Sequence, residues 1–303
     1  MPNSIDRRTA FKAGATAVTA GAFMAAVEEN LHAATTQPGG LKGNVNHSVC
    51  KWCYKKIPLE SFCKSAKKIG LQSVELLNPP DFPMLKKYDL DCAMVSFPKG
   101  KTPQGVTVGP IGKAFNRIEH HDTLLEIYEP HIKASAEAGF RNVICFSGNR
   151  DGLDDEQGLE NCAKGLKRLM KLAEKHKVVI SMELLNSKVN HKDYQCDLSS
   201  WGVELCKRVG SERFKLLYDI YHMQIMEGDV ISTIKERNEY FSHYHTGGVP
   251  GRAEIDETQE LYYPAICKAI QDTGYKGYIA QEFIPKRKDQ IASLTQAVGI
   301  CDV

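Results

Sequence analysis

From residue 46 onward, short runs of β-branched and apolar residues alternate with longer stretches whose apolar positions recur every three or four residues. The short runs predict strands at Asn46–Tyr54, Ser73–Leu77, Cys92–Ser96, Asn142–Phe146, Val178–Leu184, Phe214–Asp219, Tyr240–His245 and Tyr278–Phe283. Helices are predicted between them at Leu59–Lys68, His121–Ala138, Glu156–His176, Ser199–Val209, Val230–Arg237 and Tyr263–Thr273. Gly70, Gly139, Gly210 and Gly274 stand where helices should stop before the next strand. This alternation predicts an α/β fold, a (β/α)8 TIM barrel, forming a single domain over residues 44–303. A doubly wound open sheet is the rival, but no G-x-G-x-x-G follows the first strand.

The first residues break this pattern. Arg7 and Arg8 precede a weakly apolar stretch rich in Ala, Gly and Thr from Ala13 to Val27, and the small pair Ala33-Ala34 follows. A basic start, a mild apolar region and a small-residue end predict a twin-arginine-type export signal over residues 1–34 and a periplasmic location. The apolar stretch is too short and too polar for a permanent membrane anchor. Residues 35–43, with Thr35-Thr36-Gln37-Pro38-Gly39-Gly40, read as a linker.

Charge narrows the partners. Lys and Arg number 39 against 37 Asp and Glu, and no long basic stripe appears. That balance points to a small polar substrate rather than nucleic acid, and it leaves a homo-oligomer open. The ten cysteines share no repeat spacing. Cys50 and Cys53 form a C-x2-C without a second pair, so a four-cysteine zinc site cannot be completed. On a strand these two would also face opposite sides. Most of the cysteines therefore read as small buried apolar residues.

The barrel rule places chemistry at the carboxyl ends of strands. Those ends carry Glu183 in Ser-Met-Glu-Leu-Leu-Asn, Asp219 in Leu-Tyr-Asp-Ile-Tyr-His, His245 in His-Tyr-His-Thr-Gly-Gly and Glu282 in Ala-Gln-Glu-Phe. Four consecutive strands thus end in groups able to ligate a metal. Two glutamates, an aspartate and a histidine make a hard, oxygen-rich set suited to one divalent cation, Mn²⁺ or Mg²⁺ first, with Zn²⁺ and Co²⁺ as alternatives.

The segment Asp219-Ile-Tyr-His222-Met-Gln resembles the Asp-x-(Phe/Tyr)-His-x-Gln strand of hydroxypyruvate isomerases. His243-Tyr-His245-Thr-Gly-Gly-Val-Pro-Gly-Arg252-Ala-Glu254 is similar to their next strand and loop, as Gln281-Glu282-Phe-Ile-Pro285 is to their last. The resemblance runs from about Glu183 to Lys286, and earlier only Ser73-Val-Glu75-Leu-Leu matches a family strand. It implies a xylose isomerase-like barrel, a group that also holds ketose 3-epimerases and an apurinic endonuclease. It further implies that Glu183, Asp219, His245 and Glu282 ligate the metal and that Glu183 and Glu282 act as the acid/base pair. Tyr262 stands where these isomerases carry Asn, and Asn186–Tyr194 differs from their loop after the fifth strand.

Interconverting an α-hydroxy aldehyde and its ketone requires proton removal beside a carbonyl, and the resulting enediolate needs a nearby cation. Two carboxylates across the barrel mouth can move that proton between carbons. His222 and Arg252 are expected to hold substrate oxygens or a carboxylate, Glu254 to orient either of them, and Glu75 to stand at the rim as a further substrate contact. The expected activity is therefore that of a metal-dependent isomerase acting on a small sugar or hydroxy-keto acid. A ketose 3-epimerase of the same fold and a non-catalytic exported sugar-binding barrel are the alternatives. A nuclease would need a zinc cluster with extra His and Asp ligands on the early strands, which offer little beyond Glu75. Export gives the first test: replacing Arg7 and Arg8 by Lys should hold the precursor in the cytoplasm on cell fractionation, and unchanged export would remove the twin-arginine reading.

Overall fold

A parallel sheet is the scaffold on which the strand-end residues are mounted. In the computed structural model, which describes residues 40–303, the strands in chain order are β1 (Asn46–Val49), β2 (Gly100–Lys101), β3 (Thr107–Val108), β4 (Asn142–Cys145), β5 (Val179–Glu183), β6 (Phe214–Asp219), β7 (Phe241–Thr246) and β8 (Tyr278–Gln281). The segment read as an export signal lies outside the described residues. Six strands pair in the order β1-β8-β7-β6-β5-β4, all parallel, while β2 and β3 form a small antiparallel hairpin.

The ring is completed by two extended segments that pair only through isolated bridges, Cys50 with Glu75, Ser73 with Asp91, and Val95 with Val143. Backbone hydrogen bonds carry the closure: Glu75 N to Val49 O at 2.9 Å, Leu76 N to Met94 O at 2.8 Å and Val95 N to Asn142 O at 2.8 Å. The second and third predicted strands are therefore real staves of the barrel, but short ones. Leu76 has a φ of 56°, which takes the chain out of extended geometry just after Glu75. The result is the expected (β/α)8 barrel.

The helices are α1 (Leu59–Ile69), α2 (Phe82–Lys87), α3 (His121–Glu137), α4 (Asp155–His176), α5 (Ser199–Val209), α6 (Ile220–Met226), α7 (Val230–Arg237), α8 (Tyr263–Asp272) and α9 (Gln290–Cys301). On α4 the buried positions Leu159, Cys162, Leu166, Leu169 and Ala173 recur at helical spacing and form the face turned to the barrel. Gly70 and Gly210 end α1 and α5 in left-handed geometry, at φ 99° and 70°, as the sequence pattern predicts. The pattern missed α2, α6, α9 and the hairpin. It also ran the first strand too far: β1 stops at Val49, and Lys51–Tyr54 is a turn of 3₁₀ helix. Cys50 and Cys53 thus lie at and within a turn, and all ten cysteines are free and buried.

The loop after β7 is held against the barrel by unusually close packing. Gly248 N donates to Ala253 O at 3.0 Å, and Arg252 N donates back to Gly248 O at 2.8 Å. A Cβ on Gly248 would lie 2.2 Å from the carbonyl oxygen of Glu254, so only glycine fits there. The buried Tyr263 hydroxyl accepts from Gly247 N and donates to Gly247 O, both at 2.8 Å. Tyr263→Phe leaves that buried N–H without its partner and should cost about 1–3 kcal/mol in urea unfolding. A variant as stable as wild type would show that Tyr263 does not anchor this loop.

Candidate metal centre

β5 to β8 deliver one side chain each to the same point. Glu183 ends β5, Asp219 ends β6, His245 lies one residue before the end of β7, and Glu282 follows β8. Register explains their meeting, since Asp219 is paired with His245 and Glu183 with Leu217, two residues before Asp219. One ligand atom from each of Glu183, Asp219, His245 and Glu282 lies within 4.8 Å of all the others. The structure thus brings together the four residues that the sequence singled out.

Their surroundings are unequal. Asp219 begins α6, where its Oδ1 accepts from His222 N at 3.0 Å and caps the helix. Its Oδ2 accepts from Arg252 Nη2 at 2.9 Å. Glu282 accepts from Trp52 Nε1 at 2.6 Å and, on its other oxygen, from Arg252 Nη2. The Arg252 guanidinium lies between aromatic faces, 5.4 Å from the Trp52 ring and 5.3 Å from that of Tyr221. Its backbone is left-handed, at φ 55°, a conformation that costs energy and is stabilised here by the packed loop. Glu183 differs from the other carboxylates. Its side chain meets only His245 Nδ1, at 3.6 Å, and at 7% it is the most exposed of the four.

Burial opposes ionisation of all three carboxylates. It pushes Asp219 up to about 8, partly countered by Arg252, and it raises Glu183. For Glu282 burial is outweighed by Arg252, His245 and Trp52, which hold it well below the usual carboxylate range.

His245 supplies the test of whether a cation belongs here. Its Nε2 donates to Glu75 Oε1 at 2.9 Å. That bond leaves Nδ1 facing the carboxylates, 2.7 Å from Glu282 and 3.6 Å from Glu183, yet the buried atom has no well-formed hydrogen bond among the described residues. Burial lowers the His245 pKa, but Cys50, Glu282 and Glu183 outweigh it and raise it well above the usual imidazole range, so a cation bound between Nδ1 and the carboxylates would take the place of a ring proton. Three carboxyl groups face one guanidinium and one imidazole, and burial raises two of them, Asp219 and Glu183; a bound divalent cation would favour the ionised form of both. Hard oxygen donors plus one imidazole nitrogen fit such an ion, and the Glu75 bond to the far ring nitrogen is the usual support for a ligating histidine.

Two expectations are corrected. Glu75 is not at the rim but completely buried below His245. It accepts from His243 Nε2 at 2.8 Å and from the Ser48 hydroxyl, so it orients the imidazoles instead of meeting substrate. Glu254 orients neither Arg252 nor His222. It accepts from the backbone N–H groups of Lys286 and Arg287 and from Ser293 Oγ, pinning the chain after β8. His222 is wholly buried, with Nε2 3.1 Å from Arg252 Nη1 and Nδ1 2.6 Å from the Asn186 amide, so it faces those residues rather than the opening. Arg252 is at the site, bound to two of the four ligand-set carboxylates. Sequence reading missed Trp52, Asn186, Tyr221 and His243. Trp52 lies in the 3₁₀ turn three residues after the end of β1, where the barrel rule would have found it had the strand been ended at Val49.

Fold and site together define a (β/α)8 barrel with a group of side chains able to hold a metal ion at the carboxyl ends of β5 to β8. The chain belongs to the xylose isomerase-like TIM barrel family, whose model matches residues 63–297. It is similar to the hydroxypyruvate isomerase of Escherichia coli (strain K12), 26% identical over 159 residues covering 51% of this chain and 60% of that protein. It is also similar to the 2-oxo-tetronate isomerase of Cupriavidus necator, 34% identical over 109 residues covering 36% of this chain and 41% of that protein. The chain thus spans about two fifths of the length of the first curated relatives it matches. Among solved structures, the AP endonuclease, family 2, of Brucella melitensis superposes with a TM-score of 0.69 at 26% identity, covering 82% of this chain and 96% of that one.

A proton on Asp219 must leave before a cation binds there. Because burial puts its pKa near 8, Mn²⁺ affinity should rise with pH up to about 8, by as much as roughly tenfold per unit for one displaced proton, and then level off. Titration calorimetry across that range checks this, and Asp219→Ala should lose tight Mn²⁺ binding with an unchanged circular dichroism spectrum. Full binding by the variant would remove Asp219 from the ligand set.

Proposed function

We propose that this chain is a metal-dependent isomerase that interconverts an α-hydroxy aldehyde and its ketone, with a small sugar or a hydroxy-keto acid as substrate. The observation that carries the reading is the contrast between its two glutamates. Glu183 is unbonded except toward His245 and has a raised pKa, while Glu282 is fixed by Trp52 and Arg252 and held ionised. Carboxylates with pKa values pushed apart are suited to acid and base roles on one substrate.

Glu183, with its greater exposure, takes the proton from the carbon beside the carbonyl. Glu282 is placed to receive or return a proton at the neighbouring carbon, its carboxylate oriented by the Trp52 indole N–H. Arg252 holds Glu282 ionised, partly offsets the burial that raises Asp219, and adds positive charge where the enediolate forms. A divalent ion held by Glu183, Asp219, His245 and Glu282 would supply the remaining positive charge to the enediolate oxygens. A 3-epimerase would use the same residues, with the proton returned to the opposite face of the carbon from which it left. The paired Arg7 and Arg8 support a periplasmic setting for this activity.

The test is deuterium exchange from solvent into hydroxypyruvate and a panel of ketoses at saturating Mn²⁺. Glu183→Gln and Glu282→Gln keep side-chain volume and a ligand oxygen but remove the base, so each should slow exchange ~10²–10⁴-fold. Near-normal exchange in both variants would rule out the two-glutamate mechanism.

A further inference from the structure

The loop after β5, Asn186–Tyr194, is where the sequence departs from the isomerases it resembles, and it is tightly pinned. Asn186 Oδ1 accepts from the backbone N–H of Val189 at 3.1 Å and of Asn190 at 2.9 Å. Asn190 Oδ1 accepts from Asn186 Nδ2 at 2.8 Å and from the Tyr221 hydroxyl at 2.9 Å. Lys188 Nζ donates to Ile225 O and Met226 O at the end of α6, at 3.1 and 3.0 Å. The backbone of His191 is bonded on both sides, its N–H to Asn186 O and its carbonyl from Tyr194 N, each at 3.0 Å.

These bonds fix one side chain whose polar atoms they do not use. The His191 ring lies edge-on to His222, with centroids 5.2 Å apart, and makes no hydrogen bond among the described residues. His222 is fully buried whereas His191 is half-buried, and the charge of Arg252 acts on both rings. Burial, then the charge of Arg252, lowers the His191 pKa. The ring is therefore neutral near pH 7 and offers one donor and one acceptor. A rigidly held, unbonded imidazole beside a polar site is a binding group without its ligand.

We propose that His191 is a substrate-contacting residue that hydrogen-bonds a hydroxyl beyond the reacting carbons, which makes the preferred substrate a polyhydroxylated ketose longer than three carbons. The proposal rests on the α-hydroxy carbonyl chemistry above and assigns the outer end of the same substrate. On this proposal a substrate whose carbons run past the carboxylate cluster would extend to His191, whereas a three-carbon compound would be held without it.

The experiment is calorimetric binding to the Mn²⁺-loaded full chain, with D-xylulose, D-fructose, D-psicose and hydroxypyruvate as probes. His191→Phe keeps the ring against His222 and removes both nitrogens. It should weaken the tightest ketose at least roughly tenfold, while Mn²⁺ affinity and hydroxypyruvate binding stay unchanged. His191→Asn, which restores a donor and an acceptor, should recover part of the loss. Wild-type ketose affinity in His191→Phe, equal weakening of hydroxypyruvate, lost Mn²⁺ binding in that variant, or no ketose binding by the wild type would each overturn the proposal. Solvent exchange reads the proton-transfer mechanism separately: a wild type that exchanges hydroxypyruvate protons but shows no His191 effect leaves that mechanism standing and removes this inference.

Discussion

The hydrogen bond between Glu75 and His245 is the constraint from which the rest of the site follows. Both residues are wholly buried, and a buried carboxylate is tolerated only when its oxygens are well bonded. Glu75 meets that condition with two imidazole N–H groups on one oxygen and the Ser48 hydroxyl on the other. With its proton given to Glu75, Ser48 Oγ is left to accept from the Ser73 hydroxyl, 2.9 Å away. The barrel interior below the mouth is therefore a polar layer tied across β1, the Ser73–Glu75 stave and β7. It fixes which nitrogen of His245 faces upward.

Above that layer the positive charge comes from a loop. Arg252 reaches Asp219 on β6 and Glu282 after β8 while being carried by the loop after β7. Its Nε also donates to Glu282 O at 3.2 Å, and Ile284 N donates to Arg252 O at 2.7 Å. The loop and the chain leaving β8 thus act as one unit. Glu254 strengthens the same unit from outside by holding the Lys286 and Arg287 amides. That explains a glutamate in this motif without any contact to substrate.

Much of this was legible in the sequence, and for a physical reason. β5 and β6 end directly in Glu183 and Asp219, and Glu282 follows the last residue of β8, so strand end and functional side chain fall together or one residue apart. The first three staves are poorer signals. Their pairing is short and partly isolated, and Leu76 leaves the extended region immediately after Glu75. A glutamate there reads equally well as a rim residue or as a buried one, since strand alternation cannot give depth within the barrel. Trp52 was hidden because β-type residues continue past Val49 into a 3₁₀ turn. His191 was hidden for a different reason: its loop is defined by side-chain-to-backbone bonds from Asn186, which leave no periodicity to read.

The two glutamates show how identical side chains come to differ. Both follow parallel strands, both are buried, and both face His245. Glu282 meets an indole N–H and a guanidinium, two donors that favour the charged form. Glu183 meets neither, and its one ion-pair contact among the described residues is the His245 imidazole, 3.6 Å away. Its backbone carbonyl, by contrast, accepts from the Tyr194 hydroxyl at 3.0 Å. The main chain of Glu183 is therefore fixed while its carboxyl group is left unsatisfied. Burial then acts on that group without a compensating donor, and its proton affinity rises while that of Glu282 falls. The difference is set by Trp52 and Arg252, two residues on loops outside the strands, so the barrel supplies the placement and its loops supply the chemistry.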